Sequence, residues 1–116
     1  MGSLFDHATP HAGGYRDIPV TTVAEAREGA LLVDVREPHE YTGELGHIQG
    51  AELVPLATVG AAAAGWDKDR EIVLVCRSGN RSGKAAAQLA ASGFTRAMNM
   101  VGGMLAWNEA RLPVER

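Results

Sequence analysis

Two runs, Leu31–Val35, apolar but for Asp34, and Ile72–Val75, restrict the possible folds of this chain more than anything else in it. A strand with one wet face alternates apolar and polar residues. These runs do not, which is expected of central parallel strands covered on both faces. Around them short strand signals alternate with helical patterns, the signature of an α/β sheet with helices on either side. Arg16–Val20 reads as a short first strand, and Ala51–Val54 and Arg96–Met100 as weaker ones. Thr22 and Glu25 have capping-box spacing, so a helix is expected from there to about Glu28, stopping at Gly29. Pro38–Tyr41 suits a first helical turn, Thr58–Ala64 a short helix, and Arg81–Ala91 a helix closed by Gly93. The alanines Ala61–Ala64, bracketed by Gly60 and Gly65, read as a surface connector. Those at Ala85–Ala87 would let a helix approach the sheet closely.

A chain of 116 residues with 46% hydrophobic content can bury one core and is too short for two ordinary domains. Residues 1–14 show no periodicity and are expected to form a flexible arm, which leaves residues 15–116 as the domain. A net charge of -3 offers no basic stripe to neutralise phosphates, which argues against a nucleic-acid partner. One cysteine excludes an internal disulfide, and no apolar run is long enough to span a bilayer. A reducing, cytoplasmic setting without membrane partners is the expectation.

That cysteine, Cys76, stands where the run Ile72–Val75 meets the polar stretch Arg77-Ser78-Gly79-Asn80-Arg81-Ser82-Gly83. A thiol at a strand tip above a helix N-terminus faces backbone N–H groups and the positive end of a helix dipole, both of which favour thiolate. Arg77 and Arg81 push the same way. A lone cysteine ending an apolar strand is more often an inert small hydrophobe, but an ordinary turn does not need arginines on both sides of a glycine. The pattern therefore points to a nucleophile in an anion-binding cradle. Gly79 permits a backbone angle that side chains resist, and Asn80 tolerates the left-handed region. Ser82 is expected to cap the following helix. Asp34 and Arg36 lie near the carboxyl end of the other central strand, where either could support the loop by a charge-assisted hydrogen bond.

With these residues in view, Cys76–Ser82 resembles the active-site loop of rhodanese-type sulfurtransferases. Other stretches agree in the family's order: Leu31–Glu37, Glu40-Tyr41, Gly46–Ala51 with Pro55, and Val101–Trp107. The resemblance runs from Tyr15 to Val114 and implies an α/β fold with a five-stranded parallel sheet flanked by helices on both faces. It implies a reaction in which Cys76 takes a sulfane sulfur from a donor such as thiosulfate and passes it, through a persulfide, to a thiol, cyanide or protein acceptor. No metal or other cofactor is implied. Arg77, Ser78, Gly79, Asn80 and Arg81 would bind the anionic donor. His47, between Gly46 and Ile48, falls in a stretch the family uses for turning and packing, and Gly102-Gly103 would set the start of the last helix, with Met104 and Trp107 in the core.

Two other classes remain. A cysteine-dependent phosphatase or arsenate reductase of the related fold also wraps a cysteine and an arginine around an anion. Its loop is one residue longer; Cys76 and Arg81 enclose only four residues, a cradle suited to a single sulfur. A non-catalytic rhodanese-like binding module is the other. Such modules usually lose the cysteine or the cationic loop, and this chain keeps both.

Overall fold

The computed structural model describes residues 4–116, and its strands form one six-stranded sheet. The strands are β1 (Thr9–Pro10), β2 (Arg16–Ile18), β3 (Leu31–Asp34), β4 (Glu52–Leu53), β5 (Ile72–Val75) and β6 (Ala97–Met100). Their order is β1-β2-β6-β5-β3-β4. The sheet is mixed, not five-stranded and parallel. β2, β6, β5, β3 and β4 run parallel, and β1 adds a sixth strand antiparallel to β2. A tight return through Gly14, where φ is +91°, folds the chain back so that Thr9 pairs with Asp17.

The two apolar runs occupy the centre. β3 and β5 pair in register, Leu31 with Ile72 through Asp34 with Val75, and every residue of both is buried. Strand alternation divides their side chains between two cores. Leu32, Val73 and Val75 join Ile18, Met98 and Met100 on one face, beneath α1 (Val20–Ala26) and α5 (Gly103–Glu109). Leu31, Val33, Ile72, Leu74 and Cys76 join the other face, against α3 (Val59–Ala63) and α4 (Asn80–Ala91). Each fully buried Leu or Ile here contributes roughly 1.5–3 kcal/mol relative to exposure.

Several local expectations are corrected. α1 begins at Val20 with Pro19 as its extended N-cap, so Thr22 and Glu25 lie inside the helix and form no capping box. The reciprocal cap occurs instead at α2 (Pro38–Tyr41), where the Glu40 carboxylate accepts the Glu37 N–H at 3.1 Å. The alanine segment is more than a connector, since Val59 and Ala63 of α3 are buried against α4. Of residues 1–14, expected as a flexible arm, residues 1–3 lie outside the described residues. In the remainder a 3-10 turn, Phe5–His7, precedes β1, and Leu4 and Ala8 are buried in the α1/α5 core. Among the described residues, no helix is long and apolar enough to cross a membrane.

Candidate active site

β5 carries Cys76 to the carboxyl edge of the sheet, on the face covered by α4. The chain then turns through Gly79, whose φ of +103° only glycine adopts without strain, and enters α4 at Asn80. This turn points the first N–H groups of α4 back at the sulfur. Gly79 N–H donates to Sγ at 3.0 Å, and the Ser82 hydroxyl lies 3.3 Å from it. Burial pushes the thiol up, but the Ser82 hydroxyl and the N–H groups of Ser82, Gly79 and Ser78 outweigh it and hold Cys76 below the ordinary thiol range.

A second helix N-terminus grips the same residue from its other side. The Cys76 carbonyl accepts the Met104 N–H at 2.8 Å and the Arg77 carbonyl accepts the Leu105 N–H at 3.0 Å. Two donors of the first turn of α5, which have no partner inside the helix, are thereby satisfied. So close an approach requires glycine at 103. A Cβ there would collide with the Cys76 carbonyl oxygen and stand 2.6 Å from Arg77 backbone atoms. Gly102-Gly103 thus sets the start of the last helix and also fixes where the loop begins.

The structure places the expected residues unevenly. Arg81 does not face the sulfur in isolation; its guanidinium forms a bidentate pair with Glu40 at 2.7 and 2.8 Å. Arg77 is exposed and lines a groove with Arg36, His39 and Glu40. The main factors that lower the thiol are hydrogen bonds, while Arg81, which interacts with the Cys76 charge, is held chiefly by Glu40. Asn80 is the first residue of α4 rather than a left-handed turn residue, a conformation that belongs to Gly79. Ser82 is no helix cap. It lies in the first turn, fully buried, with its hydroxyl between Cys76 and Asn99. Ser78 is exposed at the loop surface.

Asp34 and Arg36 are buried together on the far side of the sheet edge, with Arg36 Nη2 2.7 Å from Asp34 Oδ2. Arg36 makes no hydrogen bond to the loop, although it lines a groove with Arg77. Arg36 instead donates to the carbonyls of Glu40 and Gly46, at 3.2 and 2.7 Å, so it holds the segment that presents the Glu40 carboxylate to Arg81. His47 is nearly buried, stacked on Tyr41 with centroids 3.7 Å apart and bonded through Nδ1 to the Tyr41 carbonyl. Glu40 and Asn99 were not assigned a role from sequence. Asn99 has a legible signal, a polar residue inside the apolar strand signal Arg96–Met100; Glu40 stands in the Glu40-Tyr41 stretch of the resemblance, but nothing in the sequence pairs it with Arg81.

Known proteins agree with this architecture. The profile of the rhodanese-like domain matches residues 20–110. An uncharacterized protein of Synechocystis is 40% identical over 87 residues, and the chain spans 48% of that relative's length and 75% of its own. A sulfurtransferase of Allochromatium vinosum is 39% identical, covering 75% of this chain and 79% of the relative. Thiosulfate sulfurtransferase GlpE of Pseudomonas entomophila is 36% identical over 77% of this chain and 80% of its own. Among solved structures, a rhodanese-related protein of Thermoplasma volcanium superposes with a TM-score of 0.78 at 28% identity, covering 87% of this chain and 98% of that one. The matched stretch contains Cys76, its loop and both helix N-termini that grip it, and the chain belongs to the rhodanese-like domain family.

Proposed function

We propose that this chain is a sulfurtransferase that carries a sulfane sulfur on Cys76. The observation that supports the reading most directly is the sulfur itself, held at the N-terminus of α4 by Gly79 N–H and the Ser82 hydroxyl, with its thiol below the ordinary range. The sulfurtransferase relatives point the same way. In the first step the thiolate attacks the outer sulfur of a donor such as thiosulfate. A new S–S bond forms, the donor's S–S bond breaks, and sulfite departs with the electron pair. In the second, a thiolate, cyanide or a protein acceptor attacks the outer sulfur of the persulfide and returns Cys76 as thiolate. The amides that hold the thiolate would also hold the persulfide anion. Exposed Arg77 is the guanidinium available to an anionic donor, while Arg81 acts through its pair with Glu40.

Intact mass after incubation with thiosulfate tests the reading. One sulfur should be added, removable by cyanide, and Cys76→Ser should gain none, since an alkoxide cannot store a sulfane sulfur. Hydrolysis of aryl phosphates by the unmodified chain, with no sulfur adduct from any donor, would replace this reading with the phosphatase one. Loss of the adduct with normal partner binding would favour a binding module.

A further inference from the structure

Cys76 is linked to β2 by a line of side chains that sulfur transfer as described does not use. Ser82 Oγ lies 3.3 Å from Cys76 Sγ and 2.6 Å from Asn99 Oδ1, and Asn99 Nδ2 lies 3.4 Å from Asp17 Oδ1. The line crosses from α4 to β6 to β2, and Ser82 and Asn99 are buried. A hydroxyl has one proton, yet two acceptors face this one, the sulfur and the amide oxygen. A carboxylate can only accept, so Asp17 draws the Asn99 NH2 toward itself and turns the amide oxygen toward Ser82. The amide contact is the shorter of the two.

We infer that Asp17 and Asn99 are positioning residues that compete with the Cys76 thiolate for the single proton of Ser82, and so set the pH at which the nucleophile appears. While the hydroxyl donates to Asn99, Ser82 offers the sulfur only a lone pair, which accepts from the thiol S–H. Loss of the thiol proton to solvent leaves a thiolate. The Ser82 hydroxyl then rotates toward it and gives up the bond to Asn99; no covalent bond other than S–H is broken. Breaking the 2.6 Å contact is the cost that the Asp17–Asn99 pair adds to ionisation.

Other charged groups near the line have partners of their own or stand apart from the sulfur. Arg81 on α4 interacts with the Cys76 charge but is paired with Glu40 on α2, an arrangement that none of the variants below alters, and Asp34 on β3 is paired with Arg36. Arg77 lines the groove on the α2 side. On the β2 side, Tyr15 and Lys84 line the same groove as Asp17 and Asn99, and the Tyr15 hydroxyl is engaged by His11 at 3.3 Å. Ser82 is therefore the one side chain among the described residues that hydrogen-bonds Cys76 Sγ. The inference rests on Cys76 being the nucleophile, but its readout is alkylation, so failure of sulfur transfer alone would leave it standing.

The test is the rate of alkylation by iodoacetamide, a neutral probe, against pH in the full chain. Asp17→Asn lets residue 17 donate to the Asn99 amide oxygen, which frees the Asn99 NH2 to face Ser82 and sends the hydroxyl proton to the sulfur. Asn99→Ala removes the competing acceptor. Each should move the alkylation midpoint down by on the order of one pH unit. Loss of a carboxylate would act through space as well, so both variants are repeated with Ser82→Ala, where the downward shift should vanish for Asn99→Ala and shrink to its through-space part for Asp17→Asn. If Asn99→Ala does not fold, Asp17→Asn, on a more exposed strand, carries the test alone. An unchanged midpoint in Asp17→Asn, or an equal shift with and without the Ser82 hydroxyl, overturns the inference.

Discussion

Replacing Glu40 by Gln isolates the ion pair that braces the loop. Glu40 accepts two bonds from Arg81, at 2.7 and 2.8 Å, and one from the Glu37 N–H at 3.1 Å. The hydrogen bonds from Arg81, opposed by burial and helped by the Glu37 N–H, hold its carboxyl down from an ordinary 4.5 to about 2. Such a displacement corresponds to at most about 3.5 kcal/mol. Arg81 is a third exposed, and screening by water brings the expected contribution to about 1–2 kcal/mol. Because the folded carboxyl ionises more readily than the unfolded one, this stability is fully present above about pH 4.5 and disappears as pH falls through about 2. In urea unfolding, Glu40→Gln should therefore be less stable than the parent by about 1–2 kcal/mol at pH 7, with the gap closing as pH falls toward 2. A double-mutant cycle with Arg81→Gln should return a coupling of about 1 kcal/mol. A gap that stays constant from pH 7 to 3, or a coupling below about 0.3 kcal/mol, would refute the reasoning.

Gly103→Ala drives a Cβ into the Cys76 carbonyl at a positive φ of +56°, so thermal unfolding should show a loss above about 2 kcal/mol, with the alkylation profile of Cys76 disturbed as the loop is pushed outward. Arg36→Leu leaves the Asp34 carboxylate buried without its partner and should cost about 3–5 kcal/mol by denaturant unfolding at neutral pH; a loss under about 1 kcal/mol would contradict the described burial. The Cys76 thiol, lowered by hydrogen bonds despite burial, should alkylate with a midpoint below the free-cysteine value of about 8.5, and Ser82→Ala should raise that midpoint.

The central strands, the glycine turn and the place of Cys76 at the end of a buried strand are all readable in the amino-acid order, because each follows from local chemistry. A run such as Ile72–Val75 can only be buried on both faces, and Gly79 marks the one left-handed angle the loop needs. The sheet's sixth strand was not readable. Thr9–Pro10 is too short and exposed to carry a pattern, and it exists as a strand because the return at Gly14 sets it beside β2. The partners of the loop were equally hidden. Arg81 and Glu40 are 41 positions apart, and Asp17 and Asn99 are 82 apart, so no spacing rule connects them. Charge near a thiol reads from sequence as a lowered thiol. Where each guanidinium points depends on which carboxylate the packed helices bring within reach, and α2 brings Glu40 to Arg81. The role of Ser82 turns on the same distinction: its residue type suggests a helix cap, but α4 starts at Asn80 with Gly79 as its N-cap, which puts the Ser82 hydroxyl between Cys76 and Asn99, a contact made by packing α4 on β6.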